Sequence, residues 1–145
     1  MQQSLAKFIS FSWQDQILVT KATFLLILIR LGLKFLALKT LQKQLEKIAR
    51  PSLKKDEKSI SIYKIIWSIT TASSYMPQVK CLARALAVKT LLQQQGYTAK
   101  IRIGVAKDQQ KTLIAHAWVE CKGRVVIGGI GNSVSKYKIM SIEDF

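Results

Sequence analysis

The stretch that decides the fold is residues 81–107, which read CLARALAVKTLLQQQGYTAKIRIGVAK. Its first half places alanine and leucine at helical spacing, and Gly96 stands where a glycine commonly ends a helix. Residues 98–105 then alternate apolar and polar side chains, which is the pattern of a strand. A helix that passes directly into a strand of this kind predicts an α+β architecture, with helices packed on a sheet.

Further strands are predicted after this stretch. Residues 113–120 alternate in the same way, and Lys122 and Gly123 form the short polar pair that is typical of a hairpin turn. Residues 124–127 return as a third strand, and a fourth short strand is expected at 137–140. Strands joined by such short turns predict a small antiparallel sheet.

Residues 3–50 have the composition and spacing of helices. One helix is predicted to start at Asp15, and Gly32 either breaks it or weakens it. A second helix is predicted over 33–49, and a third over 60–71. The N-terminal part is therefore expected to be entirely helical.

A polar segment separates these helices from the rest of the chain. Pro51 ends the second helix, and residues 52–59 read SLKKDEKS, which is typical of a linker. We therefore expect a helical N-terminal extension at 1–51 and a main domain at 59–145.

The composition indicates a globular protein with a basic surface. The chain has 145 residues, of which 49% are hydrophobic and 21% charged, and 23 Lys and Arg stand against 8 Asp and Glu. Because the basic residues are spread evenly, they favour an acidic protein, an acidic peptide or an anionic membrane surface as a partner. The sequence shows no basic arm, helix-turn-helix or zinc-ligand spacing, so nucleic acid and metal are not the expected ligands.

The N-terminal helices bear on where in the cell the protein is found. The longest fully apolar run is 24–29, and Lys21, Arg30 and Lys34 bracket it at intervals too short for a bilayer span. Two cysteines are too few for a disulfide framework, and no signal-peptide pattern is visible. A soluble, cytoplasmic protein is expected, with peripheral membrane contact through these helices as the open alternative.

One cysteine and the single histidine are the candidate catalytic residues. Cys81 opens a predicted helix after a loop containing Pro77, and the N-terminus of a helix stabilises both a thiolate and an oxyanion. His116 lies in a following strand, where the sheet can carry an imidazole to the thiolate. Taken singly, each residue also fits a structural role, but the combination predicts a Cys–His pair. Cys121 is expected to take no part in chemistry.

Three segments carry a family resemblance: CLARALAVKTLLQQQGY at 81–97, IRIGVAK at 101–107 and AHAWVECKGRVVIGG at 115–129. Together they closely resemble the leader peptidases of lasso-peptide biosynthesis, which belong to the transglutaminase-like superfamily. The resemblance covers about residues 72–130, and the N-terminal helices are also similar to that family. It implies a transglutaminase-like (papain-like) core and a cysteine protease that removes the leader from a ribosomally made precursor.

The resemblance also implies partners. The chain would be the stand-alone peptidase subunit, and a separate winged-helix-like protein would recognise the leader in trans. An ATP-dependent macrolactam cyclase would then use the amine that cleavage frees. No cofactor is implied. The alternative that the residues leave open is a basic, non-catalytic module that binds an acidic protein or nucleic acid. Cys–His chemistry also permits acyl transfer to an amine in place of hydrolysis.

The third member of the site departs from the family pattern. The resemblance implies an Asp about 12 residues after His116, but this sequence has Gly128 and Gly129 there. A water or a backbone carbonyl is one substitute. Gln78 is a further candidate, as a side-chain donor to the oxyanion beside the Cys81 N–H. Trp118 either shields the Cys–His pair from water or belongs to the core. The side chains that remain as candidates for the third member are Asn132, Glu143 and Asp144.

Overall fold

A computed structural model describes residues 9–49, 60–76, 81–107, 109–128 and 138–140. These residues form four helices and four strands, in an order that confirms the predicted α+β architecture. The helices come first and the strands follow. The elements are α1 (Trp13–Phe35), α2 (Leu38–Ile48), α3 (Ile62–Ser74), α4 (Cys81–Gln94), β1 (Ala99–Lys107), β2 (Leu113–Cys121), β3 (Arg124–Ile127) and β4 (Lys138–Met140).

Helix α1 runs without a break through the glycine that was expected to interrupt or weaken it. It begins after Ser12, whose side chain accepts a hydrogen bond from the backbone N–H of Asp15. A Cβ built on Gly32 would lie 2.5 Å from Cδ1 of Leu41 in α2. The missing side chain at this position therefore lets α2 pack closely on α1 while the helical hydrogen bonds continue.

Helix α4 is the centre of the molecule. It packs against α1, α2, α3, β1 and β2, and this explains why its apolar residues are not confined to one stripe. One hydrophobic core joins α4 to the sheet and to α1. The division at 51 and 59 stays a prediction, since the linker lies outside the described residues. The buried residues of α4 are Ala83, Ala85, Leu86, Ala87, Val88, Thr90, Leu91 and Leu92.

The strands form one antiparallel sheet in the order β3-β2-β1-β4. Strands β1 and β2 pair along their whole length, from Ala99 opposite Cys121 to Lys107 opposite Leu113. Between β2 and β3 the register shifts by one residue at Val119 and Glu120. This irregularity bends the short β3 at the point where it approaches its end.

The two faces of β2 have different surroundings. Ala117, Val119 and Cys121 belong to the core that contains α4. Because side chains alternate along a strand, His116 and Trp118 project from the other face. His116 and Trp118 thus lie on the face of β2 opposite the helical core.

An ion pair joins α1 to α3. Lys64 Nζ lies 2.8 Å from the Asp15 carboxylate. The hydrogen bond from Lys64 holds the pKa of the Asp15 carboxyl below its usual value of 3.8. The pair therefore supports the folded state above that value, and the support is lost as the pH falls and the carboxylate is protonated.

Helix α1 is long and apolar enough, by length and composition alone, to cross a membrane. The expectation that no segment spans a bilayer, which rests on the charges around 24–29, stays a prediction. A third of the most apolar window of α1 is buried inside the protein, and a core helix passes the same test. One side of α1 nevertheless leaves seven large apolar side chains exposed: Trp13, Ile17, Phe24, Ile27, Leu28, Leu31 and Phe35.

Candidate active site

His116 lies on β2, beside the end of β3. β3 ends at Ile127, which pairs with Val119, so the next residue, Gly128, lies opposite Trp118 in the same register. The His116 ring nitrogen Nε2 is hydrogen-bonded to the carbonyl oxygen of Gly128. A carbonyl only accepts, so Nε2 carries the proton and donates it. In the neutral ring the basic lone pair is then on Nδ1, which is the nitrogen that can act as a base.

Gly128 can hold this position only as a glycine. Its φ is +87°, a backbone conformation that side chains disfavour. A Cβ there would lie 2.5 Å from the Ala117 carbonyl oxygen and 2.9 Å from the Trp118 Cα. The backbone of Gly128 is therefore pressed against β2, and this contact aims its carbonyl at the imidazole.

Trp118 supports the imidazole from the side. The two rings are stacked at 26° with centroids 6.3 Å apart. The indole N–H donates to Glu120 Oε1 at 3.1 Å, and Glu120 Oε2 in turn accepts from Arg102 Nε at 3.4 Å. Trp118 is only 2% exposed. Its ring thus fixes one side of His116 and is itself fixed by the Glu120–Arg102 pair.

Cys81 is the first residue of α4, as predicted. It is half-buried, it packs against the hydrophobic core, and its thiol forms no disulfide. Helix α4 packs on the face of β2 that carries Ala117, Val119 and Cys121. His116 projects from the other face, so its pairing with Cys81 stays a prediction. Cys121, by contrast, is 3% exposed and sits in the core on the helix-facing side of β2.

The structure brings together some of the predicted residues. His116 and Trp118 are in contact, and Cys81 stands at the start of the neighbouring helix. Their catalytic roles stay predictions. Those of Asn132, Gln78, Glu143 and Asp144 also stay predictions, and these four lie outside the described residues.

Two features of the site were not assigned from the sequence. The Gly128 carbonyl accepts the hydrogen bond from His116 that a side chain was expected to accept. The sequence feature that pointed to it was the glycine 12 residues after His116. Arg102 anchors Glu120, and its register opposite Trp118 follows from the hairpin pattern. Within the described part of the chain, no group of three or more His, Cys, Asp or Glu side chains could hold a metal ion.

A thiol at the start of a central helix and an imidazole on the adjoining sheet are groups that a cysteine-type enzyme uses. The family comparison agrees. The model of the transglutaminase-like superfamily matches residues 25–141, so the chain belongs to this superfamily. The match begins within α1 and runs past β4. It supports a general protease-like role of the cysteine type. No curated protein and no solved structure gives a significant match to the chain.

Proposed function

We propose that this protein is a cysteine peptidase in which Cys81 is the nucleophile and His116 is the general base and acid. The observation that carries the proposal is the hydrogen bond between His116 Nε2 and the Gly128 carbonyl. It selects the tautomer whose Nδ1 can accept a proton from a thiol, as a Cys–His pair requires. Membership of the superfamily and the position of Cys81 at the start of α4 support the same assignment.

The mechanism follows from these groups. His116 Nδ1 takes the thiol proton, and the Cys81 sulfur attacks the scissile carbonyl. Backbone N–H groups in the first turn of α4 hold the oxyanion, since they have no partner within the helix. The imidazolium then gives its proton to the departing amine and leaves a thioester. A water, deprotonated by His116, attacks this thioester and releases the acid and the Cys81 thiol.

The Gly128 carbonyl would do part of what a carboxylate does in a triad. It orients the ring and fixes the tautomer, but it is a neutral acceptor and stabilises an imidazolium less than a negative charge does. Orientation is thus supplied by the backbone and by Trp118 stacking. Asn132 as an additional acceptor and Gln78 as an oxyanion donor remain part of this proposal.

We further propose that the bond cleaved joins a leader to the core of a lasso-peptide precursor. The resemblance of residues 81–97 and 115–129 to leader peptidases supports this step. A separate winged-helix-like recognition protein would present the leader in the cytoplasm, and a macrolactam cyclase would use the freed amine. The exposed apolar side of α1 offers a surface for such a partner, and an anionic membrane is the other occupant to consider.

A processing assay tests this function. The protein is incubated with a lasso-peptide precursor and a winged-helix-like recognition protein, and the masses of the products are measured by mass spectrometry. We expect two fragments whose masses sum to the precursor plus one water, because the thioester is hydrolysed. Products that carry an added amine would show acyl transfer instead. An unchanged precursor, with a folded and complete set of proteins, would contradict the proposal.

A further inference from the structure

A basic groove lies on the same face of the sheet as His116. It encloses about 530 Å³, and it lies between the start of β1 and the β2–β3 turn. We call it the basic groove, and its charged residues are Lys100, Arg102, Glu120 and Lys122. Since Lys100 pairs with Glu120 and Arg102 with Trp118 in the β1–β2 ladder, the groove lies on the same face as His116, and Trp118 stands between them along β2.

Some charges of the groove have an oppositely charged partner and others do not. Glu120 is held by Arg102 and by the Trp118 indole, so this carboxylate and this guanidinium compensate each other. Lys100 and Lys122 are exposed, and the Lys122 ammonium lies over the Tyr97 ring at 5.4 Å from its centroid. Two positive charges thus remain over the groove, and one of them is positioned by an aromatic ring.

We propose that the basic groove binds acidic side chains of the peptide substrate and so sets the substrate specificity. This inference rests on the proposed peptidase function, and it names the class of peptide that the site accepts. Glu120 lies four residue steps along β2 from His116, which is about 13 Å at strand spacing. An extended substrate spans that distance in about four residues. Acidic residues are therefore expected about four positions from the cleaved bond.

A peptide fits the groove better than nucleic acid does. The groove has only two uncompensated cations, whereas affinity for nucleic acid rests on neutralising many phosphates. A short acidic peptide needs only a few such contacts, each of which contributes modestly at a surface.

Binding of a defined probe tests the inference. The probe is a fluorescein-labelled peptide of six glutamates, and its affinity for the full chain is measured by fluorescence anisotropy at low salt. The variant combines Lys100→Gln with Lys122→Asn, because asparagine tolerates the φ of +54° at Lys122. We expect the dissociation constant to rise about five- to tenfold. The matched control is Lys39→Gln with Lys43→Gln, which removes two exposed charges from α2 and should change the affinity less than about twofold.

Three results would overturn the inference. They are an equal loss in both variants, equal binding of a six-glutamine probe, and tighter binding of a six-nucleotide thymidine strand at the same residues. Thermal melting of both variants ensures that the affinities are those of folded protein. The assay involves no cleavage. If the probe does not bind but Cys81-dependent processing is intact, only the groove proposal is rejected. If the probe binds but no processing occurs, only the peptidase function is rejected.

Discussion

Replacing Cys81 with alanine is expected to abolish precursor cleavage, with a fall in rate of at least about 10³-fold. The sulfur is the atom that attacks the scissile carbonyl, and no other described side chain at the start of α4 can take its place. Because Cys81 is only half-buried, loss of its sulfur should cost little stability. Initial rates of leader release, measured by mass spectrometry, give the comparison.

Cys121 supplies the matched control for this prediction. It is the other cysteine of the chain, and it is buried in the core behind β2. Cys121→Ala should lower the melting temperature, because a buried sulfur is lost from a packed core, but leave the cleavage rate within a few-fold of the parent. Cleavage that survives Cys81→Ala, or that disappears only with Cys121→Ala, would reject the assigned nucleophile.

The second large effect is expected at Gly128. In Gly128→Ala the new methyl group would overlap the Ala117 carbonyl oxygen, and the residue would keep an unfavourable positive φ. We expect the free energy of unfolding to fall by about 2–4 kcal/mol from overlap and backbone strain together. The Gly128 carbonyl would also move away from His116, and a misplacement of about 1 Å can lower a rate about 10²-fold. Denaturant unfolding and cleavage rates measure the two effects.

Gly96→Ala separates backbone strain from the specific contact. Gly96 has a φ of +85°, nearly that of Gly128, but a Cβ there meets nothing within 4 Å. This variant should lose about 1 kcal/mol of stability from its φ alone and keep its activity. If both alanine variants retain the same activity when they are compared well below their melting temperatures, the Gly128 carbonyl does not orient His116.

The order of the helices and strands was predictable because each one is marked by a local sequence pattern. The helix predicted from Cys81 to Gly96 and the strand predicted over 98–105 agree with α4 and β1 to within about two residues at each end. The hairpin turn at Lys122 and Gly123 was also predicted, and both residues have the positive φ that such turns require.

What the sequence could not show depends on contacts between distant segments. The continuity of α1 through Gly32 rests on the approach of Leu41, which helical periodicity does not reveal. The sequence left a backbone carbonyl open as an acceptor for His116 but did not indicate which one. The Gly128 carbonyl takes this position because its backbone packs closely against β2.

His116 and Trp118 were predicted to share a face of one strand, and their rings stack in the structure. The anchoring of Trp118 through Glu120 to Arg102 depends on the β1–β2 register. That register becomes available only once the hairpin has been paired residue by residue.

The central claim is that His116 activates the Cys81 thiol, and alkylation by iodoacetamide tests it without any knowledge of the substrate. An ordinary thiol is only a few per cent ionised at pH 7, so a thiol paired with an imidazole reacts faster at and below this pH. We predict that mass spectrometry finds Cys81 modified before the buried Cys121. We also predict that His116→Gln, whose side-chain amide can still donate to the Gly128 carbonyl, slows the reaction of Cys81 at pH 6–7 by at least about tenfold. Equal rates for Cys81 in the two proteins would contradict the account.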